Sequence, residues 1–237
     1  MLNSEIIIQV CYLIAAIVFI LGLKRMSSPT TARLGIVWAG GGMLLATAAT
    51  FFTPGMANIE LIIIAIVIGG GLAWMTAKKV AMTDMPQMIA LYNGMGGGAA
   101  AAIAAVEMFK VHDLEISVEI LAIIGGIIGA ISFSGSIIAF GKLQGIIKGS
   151  FRFKGQNLLN LLIMLLLILI SITILMDFEL MKNPVVAVFI IALIFGIAMT
   201  LPIGGADMPV VISLYNALTG LAVGFEGYVL QNYAMII

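Results

Sequence analysis

The chain has 237 residues, of which 62% are hydrophobic and only 9% are charged, and its formal net charge is zero. A soluble domain carries about a quarter charged residues, so this composition excludes an ordinary soluble protein and indicates a surface that faces lipid. The single cysteine, Cys11, excludes an intrachain disulfide and a cysteine-based metal cluster. No nucleic-acid partner is expected.

Charged positions and positions rich in proline or glycine divide the chain into eight apolar stretches. They cover residues 5–23, 33–52, 59–77, 85–108, 116–141, 157–176, 184–201 and 208–225. Most are long enough to cross a hydrocarbon core of about 30 Å as helices, and none shows the alternation of a barrel strand. The first lacks a cleavage-site pattern and is interpreted as a retained span. The predicted fold is an all-α integral membrane bundle with eight full transmembrane helices.

Basic residues mark one side of the predicted membrane. Nine of the eleven fall in alternate loops, with Lys110 and Lys182 as the exceptions. The nine are Lys24, Arg25, Arg33, Lys78, Lys79, Lys142, Lys148, Arg152 and Lys154. The positive-inside rule places these loops in the cytoplasm and the N-terminus outside. The protein is expected in the inner (plasma) membrane of a cell. Acidic residues, Glu226 among them, are predicted to lie outside, except Asp84 and Asp207.

The last nine residues, 229–237, follow a predicted external turn at Glu226. Nine helical residues rise only about 13 Å, which is half a span. We therefore expect the sequence to stop at the start of a ninth helix, with residues 1–237 forming one transmembrane domain.

One polar motif occurs twice. The segment Asp84–Asn93 returns as Asp207–Asn216 with seven of ten positions identical. In each copy the aspartate can cap a helix and the proline lies in the first turn, where a missing N–H costs nothing. The asparagine then lies about 13 Å along the helix. The copies belong to the fourth and eighth helices, so the repeat is parallel.

The deep polar residues of the predicted spans are neutral. They are Asn93, Ser132, Ser136, Ser213, Asn216 and Thr219. Ser136 lies about 9 Å and the two asparagines about 13 Å from the cytoplasmic end of their helices, which places them in one layer. Such groups can form interhelical hydrogen bonds of about 0.6 kcal/mol each, or they can hold a short file of water. A proton path would also need a titratable group, for which histidine is the natural candidate. His112, in an acidic external loop, is interpreted as a solvated residue.

The two motif aspartates have two interpretations. Asp84 is interpreted mainly as a helix cap worth about 1 kcal/mol. Asp207 follows a glycine turn in a loop without basic residues. Its carboxylate is therefore predicted to stand at the cytoplasmic mouth, within reach of a soluble partner.

Small residues predict close helix packing. The fifth helix carries one face of them, at Gly125, Gly129, Ser132, Ser136 and Ala139. The pairs Gly94/Gly98 and Gly220/Gly224 have the spacing of close helix contacts. The segment 94–99 also matches a dinucleotide-binding pattern, but that pattern requires a strand and a turn before the helix, and here it falls within a helix.

Three segments, 83–86, 134–143 and 204–216, resemble the membrane domain of the β subunit of proton-translocating NAD(P) transhydrogenase. The resemblance implies that hydride passes from NADH to NADP⁺ while a proton moves inward. NAD(H) and NADP(H) would bind separate soluble domains and not this segment. The NADP-binding domain would follow the last membrane helix of the same full-length chain. No catalytic residue is expected here.

The resemblance also assigns roles. The channel serine corresponds to Ser136, the channel asparagine to Asn216 and the coupling aspartate to Asp207. Many family members have a histidine where this chain has Asn93. The histidine is then expected on a membrane helix of a partner α-type subunit, in a complex that forms a dimer. Two alternatives remain, a secondary transporter with parallel repeats and a structural membrane subunit, and the sequence following Ile237 would discriminate between them.

Overall fold

The computed structural model describes residues 2–110, 115–178 and 183–237, and the regular structure within these ranges is helical. The helices are α1 (Leu2–Met26), α2 (Ala32–Thr50), α3 (Ile59–Lys79), α4 (Met85–Lys110), α5 (Ile116–Leu143), α6 (Gln156–Leu175), α7 (Pro184–Thr200), α8 (Met208–Val229) and α9 (Tyr233–Ile236). Short 3-10 helices at Met82–Asp84 and Gly205–Asp207 precede α4 and α8. The predicted all-α class is confirmed.

Seven helices within the described ranges are long and apolar enough to cross a membrane. The apolar helix α7 is shorter, at 17 residues. Each of the eight predicted stretches thus coincides with one of the helices α1–α8. The predicted ninth helix corresponds to only four residues, α9, after a turn in which Gln231 has a φ of 52°.

The end of α8 differs from the prediction. The predicted helix ends at residue 225, with Glu226 in an external turn. The helix instead continues to Val229, and Glu226 is fully buried. The placement of Glu226 in a turn after the helix is therefore wrong, because one charged residue does not end a helix when its neighbours continue to pack.

The chain divides into two compact units, Met1–Val80 with Ile237, and Ala81–Ile236. In the first unit, α1 and α2 form an antiparallel pair. A Cβ atom at Gly35 would lie 2.6 Å from the carbonyl oxygen of Gly22, so the helices approach as closely as glycine permits. At the other end of the pair, the hydroxyl groups of Tyr12 and Thr50 are hydrogen bonded at 2.9 Å. No residue of α3 is buried.

In the second unit, α5 is the central helix and packs against α4, α7 and α8. The small-residue face predicted for α5 is buried, as expected for close packing. A Cβ atom at Gly129 would lie 2.7 Å from the carbonyl oxygen of Gly97 on α4. The predicted close contact at Gly220 and Gly224 is not made within the described part of the chain, where nothing lies within 4 Å of an added Cβ.

Among the described residues, two apolar clusters hold these helices together. One surrounds Tyr215 and consists of Ala90, Ala139, Met208, Val211 and Ile212. The other joins α6 and α7 to the middle of α5 and consists of Ala130, Leu167, Ile170, Val188 and Ala192. Several buried polar residues lie where α4, α5 and α8 meet.

Candidate functional site

A line of buried polar side chains follows the contact of α4, α5 and α8. We call it the polar seam. It consists of Asn93 on α4, Ser132 and Ser136 on α5, and Thr219 and Glu226 on α8. The glycines of these helices allow the backbones to approach, so that short polar side chains can meet across the seam.

The structure brings Asn93 and Ser136 together. The Nδ2 atom of Asn93 donates a hydrogen bond of 2.9 Å to the Oγ atom of Ser136. Asn93 is 7% exposed and Ser136 is not exposed at all. The contact depends on Gly94, where an added Cβ would lie 3.2 Å from the Cβ of Ser136. Two residues from distant parts of the sequence therefore form one buried polar pair.

Ser132 lies about one helical turn before Ser136 on α5 and faces α8. Its hydroxyl group donates to the backbone oxygen of Tyr215 over 3.5 Å. The Tyr215 ring occupies the space that a side chain at Gly135 would need, and its hydroxyl group is hydrogen bonded to Thr200 at 2.6 Å. Tyr215 thus holds α8 against α5 and α7, a role that the sequence analysis did not assign.

Asn216 and Ser213 lie on a different side of α8. Both are exposed, as is Gly220, so the predicted common face of these three residues exists but does not point into the chain's interior. The expectation that Asn93, Ser136 and Asn216 share one interior space is therefore not met within this chain. A turn of about 100° per residue separates Asn216 from the buried Tyr215.

Within the described ranges, four buried side-chain atoms lack a hydrogen-bond partner. They are Oδ1 of Asn93, Oγ1 of Thr219, and Oε1 and Oε2 of Glu226. All belong to the polar seam. A buried polar atom without a partner costs about 1–3 kcal/mol, and native proteins leave few of them. Their concentration in one seam marks it as a site with hydrogen-bonding capacity that packing alone does not use.

Lys142 lies in the last turn of α5. Its Nζ atom donates to the carbonyl oxygens of Gly149, Leu201 and Ile203, at 3.1, 2.6 and 2.5 Å. Leu201 and Ile203 belong to the segment that leads from α7 to Asp207. The cytoplasmic end predicted for α5 is therefore tied directly to the loop that carries the predicted coupling aspartate.

The two motif aspartates have different surroundings. Asp84 is half-buried and its Oδ1 atom accepts a hydrogen bond of 3.3 Å from Nε2 of Gln87. Asp207 occupies the N-cap position of α8, but its side chain makes no capping hydrogen bond and is exposed. Val210 stands where the first copy has Gln87. The second carboxylate is therefore available to a partner in a way that the first is not.

Two other kinds of site have no support in the part of the chain that the structure describes. Residues 94–99 lie inside α4, without the strand and turn of a dinucleotide-binding motif. No group of three or more acidic, histidine or cysteine side chains is placed to hold a metal ion among residues 2–110, 115–178 and 183–237. His112 lies outside the described residues.

Comparison with known proteins places this arrangement in a family. A family model described as "NAD(P) transhydrogenase beta subunit" matches residues 8–237. Two proteins from Rhodospirillum rubrum, both named "NAD(P) transhydrogenase subunit beta", are each 35% identical over 239 residues. Each match covers 95% of this chain and 50% of the relative, so the chain spans about half the length of the curated relatives it matches. The chain belongs to the NAD(P) transhydrogenase beta subunit family.

Proposed function

We propose that this chain forms the membrane domain of a proton-translocating NAD(P) transhydrogenase. In this proposal protons pass inward through the bundle while hydride moves from NADH to NADP⁺ on separate soluble domains. The observation that carries the proposal is the polar seam, with four unpaired buried atoms in a chain of this family. Family membership favours this function over a secondary transporter or a structural subunit.

The hydrogen bond between Asn93 and Ser136 gives the inner part of the path a direction. Because the Ser136 oxygen accepts from Asn93, the serine hydroxyl proton is free to be donated to a water molecule or a partner group. The unpaired Oδ1 of Asn93 can accept a hydrogen bond at the same level. The pair therefore orients hydrogen bonds along the seam, while neither group exchanges protons near neutral pH.

A titratable group for the inner layer comes, in this proposal, from the partner α-type subunit. The exposed face of α8 that carries Ser213 and Asn216 is the surface on which we place that partner's membrane helix. An amide that faces lipid is poorly solvated, so a partner side chain that hydrogen bonds to Asn216 stabilises the contact. We propose a histidine in this position, because imidazole titrates near neutral pH.

Coupling to the soluble domains is proposed to pass through Asp207 and, to a smaller extent, Asp84. The NADP-binding domain of the full-length chain would dock on the cytoplasmic side, where Asp207 is exposed. Lys142 joins the Asp207 loop to α5, which carries Ser136, through two hydrogen bonds, to Leu201 and Ile203. A movement of that loop can therefore reach the seam through one helix. NAD(H) and NADP(H) are proposed to bind outside residues 1–237, in a complex that forms a dimer.

The replacement Ser136→Ala tests the proposed function. It removes the acceptor of Asn93 without adding volume, and we expect proton-coupled hydride transfer by the complete complex in proteoliposomes to fall roughly fivefold or more, since a lost hydrogen bond of about 1 kcal/mol has that effect on a rate. Hydride exchange between nucleotides bound to the soluble domains of the variant complex should not change. Ser171→Ala is the matched control, because this hydroxyl bonds only within α6. Wild-type coupling in Ser136→Ala would contradict the proposal.

The proposed orientation has its own test. Single cysteines introduced into a Cys11→Ser background are labelled in sealed cells with a reagent that does not cross the membrane. With the N-terminus outside, cysteines at 109–115 and 177–183 should react and those at 148–154 should not, because the second region carries Lys148, Arg152 and Lys154. Labelling at 148–154 from outside would contradict the proposed orientation.

A further inference from the structure

Glu226 is a buried carboxyl group whose role the family resemblance does not explain. Its side chain is not exposed to solvent, and neither carboxyl oxygen has a hydrogen-bond partner. It lies on α8 against Gly125 of α5, and a Cβ atom at Gly125 would overlap Oε1. The absence of a side chain at Gly125 therefore creates the space that the carboxyl group occupies.

Among the described residues, no positive charge acts on Glu226. From α4, the carboxylate of Glu107 acts on it with like charge. From α5, the uncharged Gly125 contacts Glu226, and the charged residue nearest to it towards the start of that helix is the acidic Glu119. The short helix α9 carries no charged residue. An isolated ionised carboxylate is strongly disfavoured in such a place, whereas a carboxyl used only for structure is normally hydrogen bonded.

Glu226 also stands in line with the other members of the polar seam. Thr219, whose Oγ1 is unpaired, lies seven residues earlier on α8, which is two turns or about 10 Å along the axis. On α5, Gly125 precedes Ser136 by eleven residues, or about 16 Å. The seam therefore runs from a carboxyl group near the far end of α8, past a threonine hydroxyl, to the Asn93–Ser136 pair.

We propose that Glu226 is the proton-exchanging group in the external half of the path. It would take up a proton from the external side and release it along the seam past Thr219 towards Asn93 and Ser136. The inference rests on the proposed function and extends it: this chain supplies a titratable group of its own, in addition to the one provided by the partner subunit. A group that alternates between a neutral and a charged form must not be fixed in an ion pair, and Glu226 has none.

The test uses the complete complex in proteoliposomes and the variants E226Q and E226D. Glutamine has the same shape but cannot exchange a proton, so E226Q should lower proton-coupled hydride transfer at least tenfold, and the dependence of the coupled rate on external pH should disappear. E226D keeps a carboxyl group and should retain part of the rate with a shifted pH profile. The control E107Q removes the neighbouring like charge but leaves the Glu226 carboxyl group in place, so the coupled rate should still depend on external pH.

The readouts separate this proposal from the proposed function. Infrared difference spectra on a change of external pH should show a carboxyl band that E226Q lacks and E107Q keeps. If Ser136→Ala lowers coupling but E226Q has the wild-type rate and pH profile, Glu226 is structural and only this inference is overturned. If the wild-type complex couples no proton movement to hydride transfer, the proposed function itself fails. Should E226Q not assemble, E226D decides: an unchanged pH profile rejects the proposal and a shifted one supports it.

Discussion

Replacing Asn216 with leucine is expected to lower proton-coupled hydride transfer of the complete complex by roughly tenfold or more, which corresponds to about 1.4 kcal/mol at the rate-limiting barrier. The membrane chain by itself should be as stable as the wild type, or slightly more stable. Both expectations follow from the exposure of Asn216 on α8. An apolar side chain suits a lipid-facing position, whereas the loss of the amide removes the hydrogen bond that we propose for the partner helix.

The measurements are the coupled rate in proteoliposomes and the thermal unfolding temperature of the detergent-solubilised chain. Ala217→Leu is the matched control, because it adds the same side chain at the adjacent exposed position of α8 without removing a polar group. A large loss of coupling in Ala217→Leu as well would point to a steric effect on assembly. A loss of stability in isolated Asn216→Leu would show that the amide is used within this chain, which would contradict its placement at a partner surface.

The contrast between the two copies of the repeated motif shows what the sequence could not predict. Asn93 is buried and Tyr92 is exposed, whereas Asn216 is exposed and Tyr215 is buried. The shared residues fix where each helix begins and how deep the asparagine lies, because the aspartate and proline mark the start. They do not fix which face of the helix packs, since that depends on what lies opposite. Tyr215 fits into the space left by Gly135, so the second helix is rotated about its axis by about one residue relative to the first.

The helices themselves could be predicted from composition, because the backbone of a long apolar stretch in lipid can satisfy its hydrogen bonds only internally. The burial of charged residues near helix ends could not be predicted in the same way. Lys142 and Glu226 were both treated as boundaries, and both are buried in the structure. For Lys142 the reason is three carbonyl oxygens, of which two, those of Leu201 and Ile203, come from a loop distant in sequence. For Glu226 a signal existed in its seven-residue spacing from Thr219, but only a helix continued to Val229 gives that spacing meaning.

The surroundings of Asp207 also determine the expected effect of Asp207→Asn. We expect this variant to reduce proton-coupled turnover of the full complex roughly tenfold, or about 1.4 kcal/mol, without changing the thermal unfolding temperature of the membrane chain. Stability should be preserved because Asp207 makes no capping hydrogen bond that could be lost, and asparagine is as good at the N-cap position as aspartate. Coupling should suffer because the exposed negative charge is proposed to act on the NADP-binding domain.

Asp84→Asn is the internal control that the repeat provides. Its carboxylate already accepts a hydrogen bond from Gln87, so we expect less than a twofold reduction of turnover, a difference below about 0.5 kcal/mol. The variant Val210→Gln sharpens the comparison, because it places at the exposed position 210 the amide that Asp84 has in Gln87. If Asp207 acts through an unpaired carboxylate, Val210→Gln should weaken coupling although Asp207 remains in place. Equal, wild-type-like turnover in Asp207→Asn and Val210→Gln would show that the Asp207 carboxylate has no part in coupling.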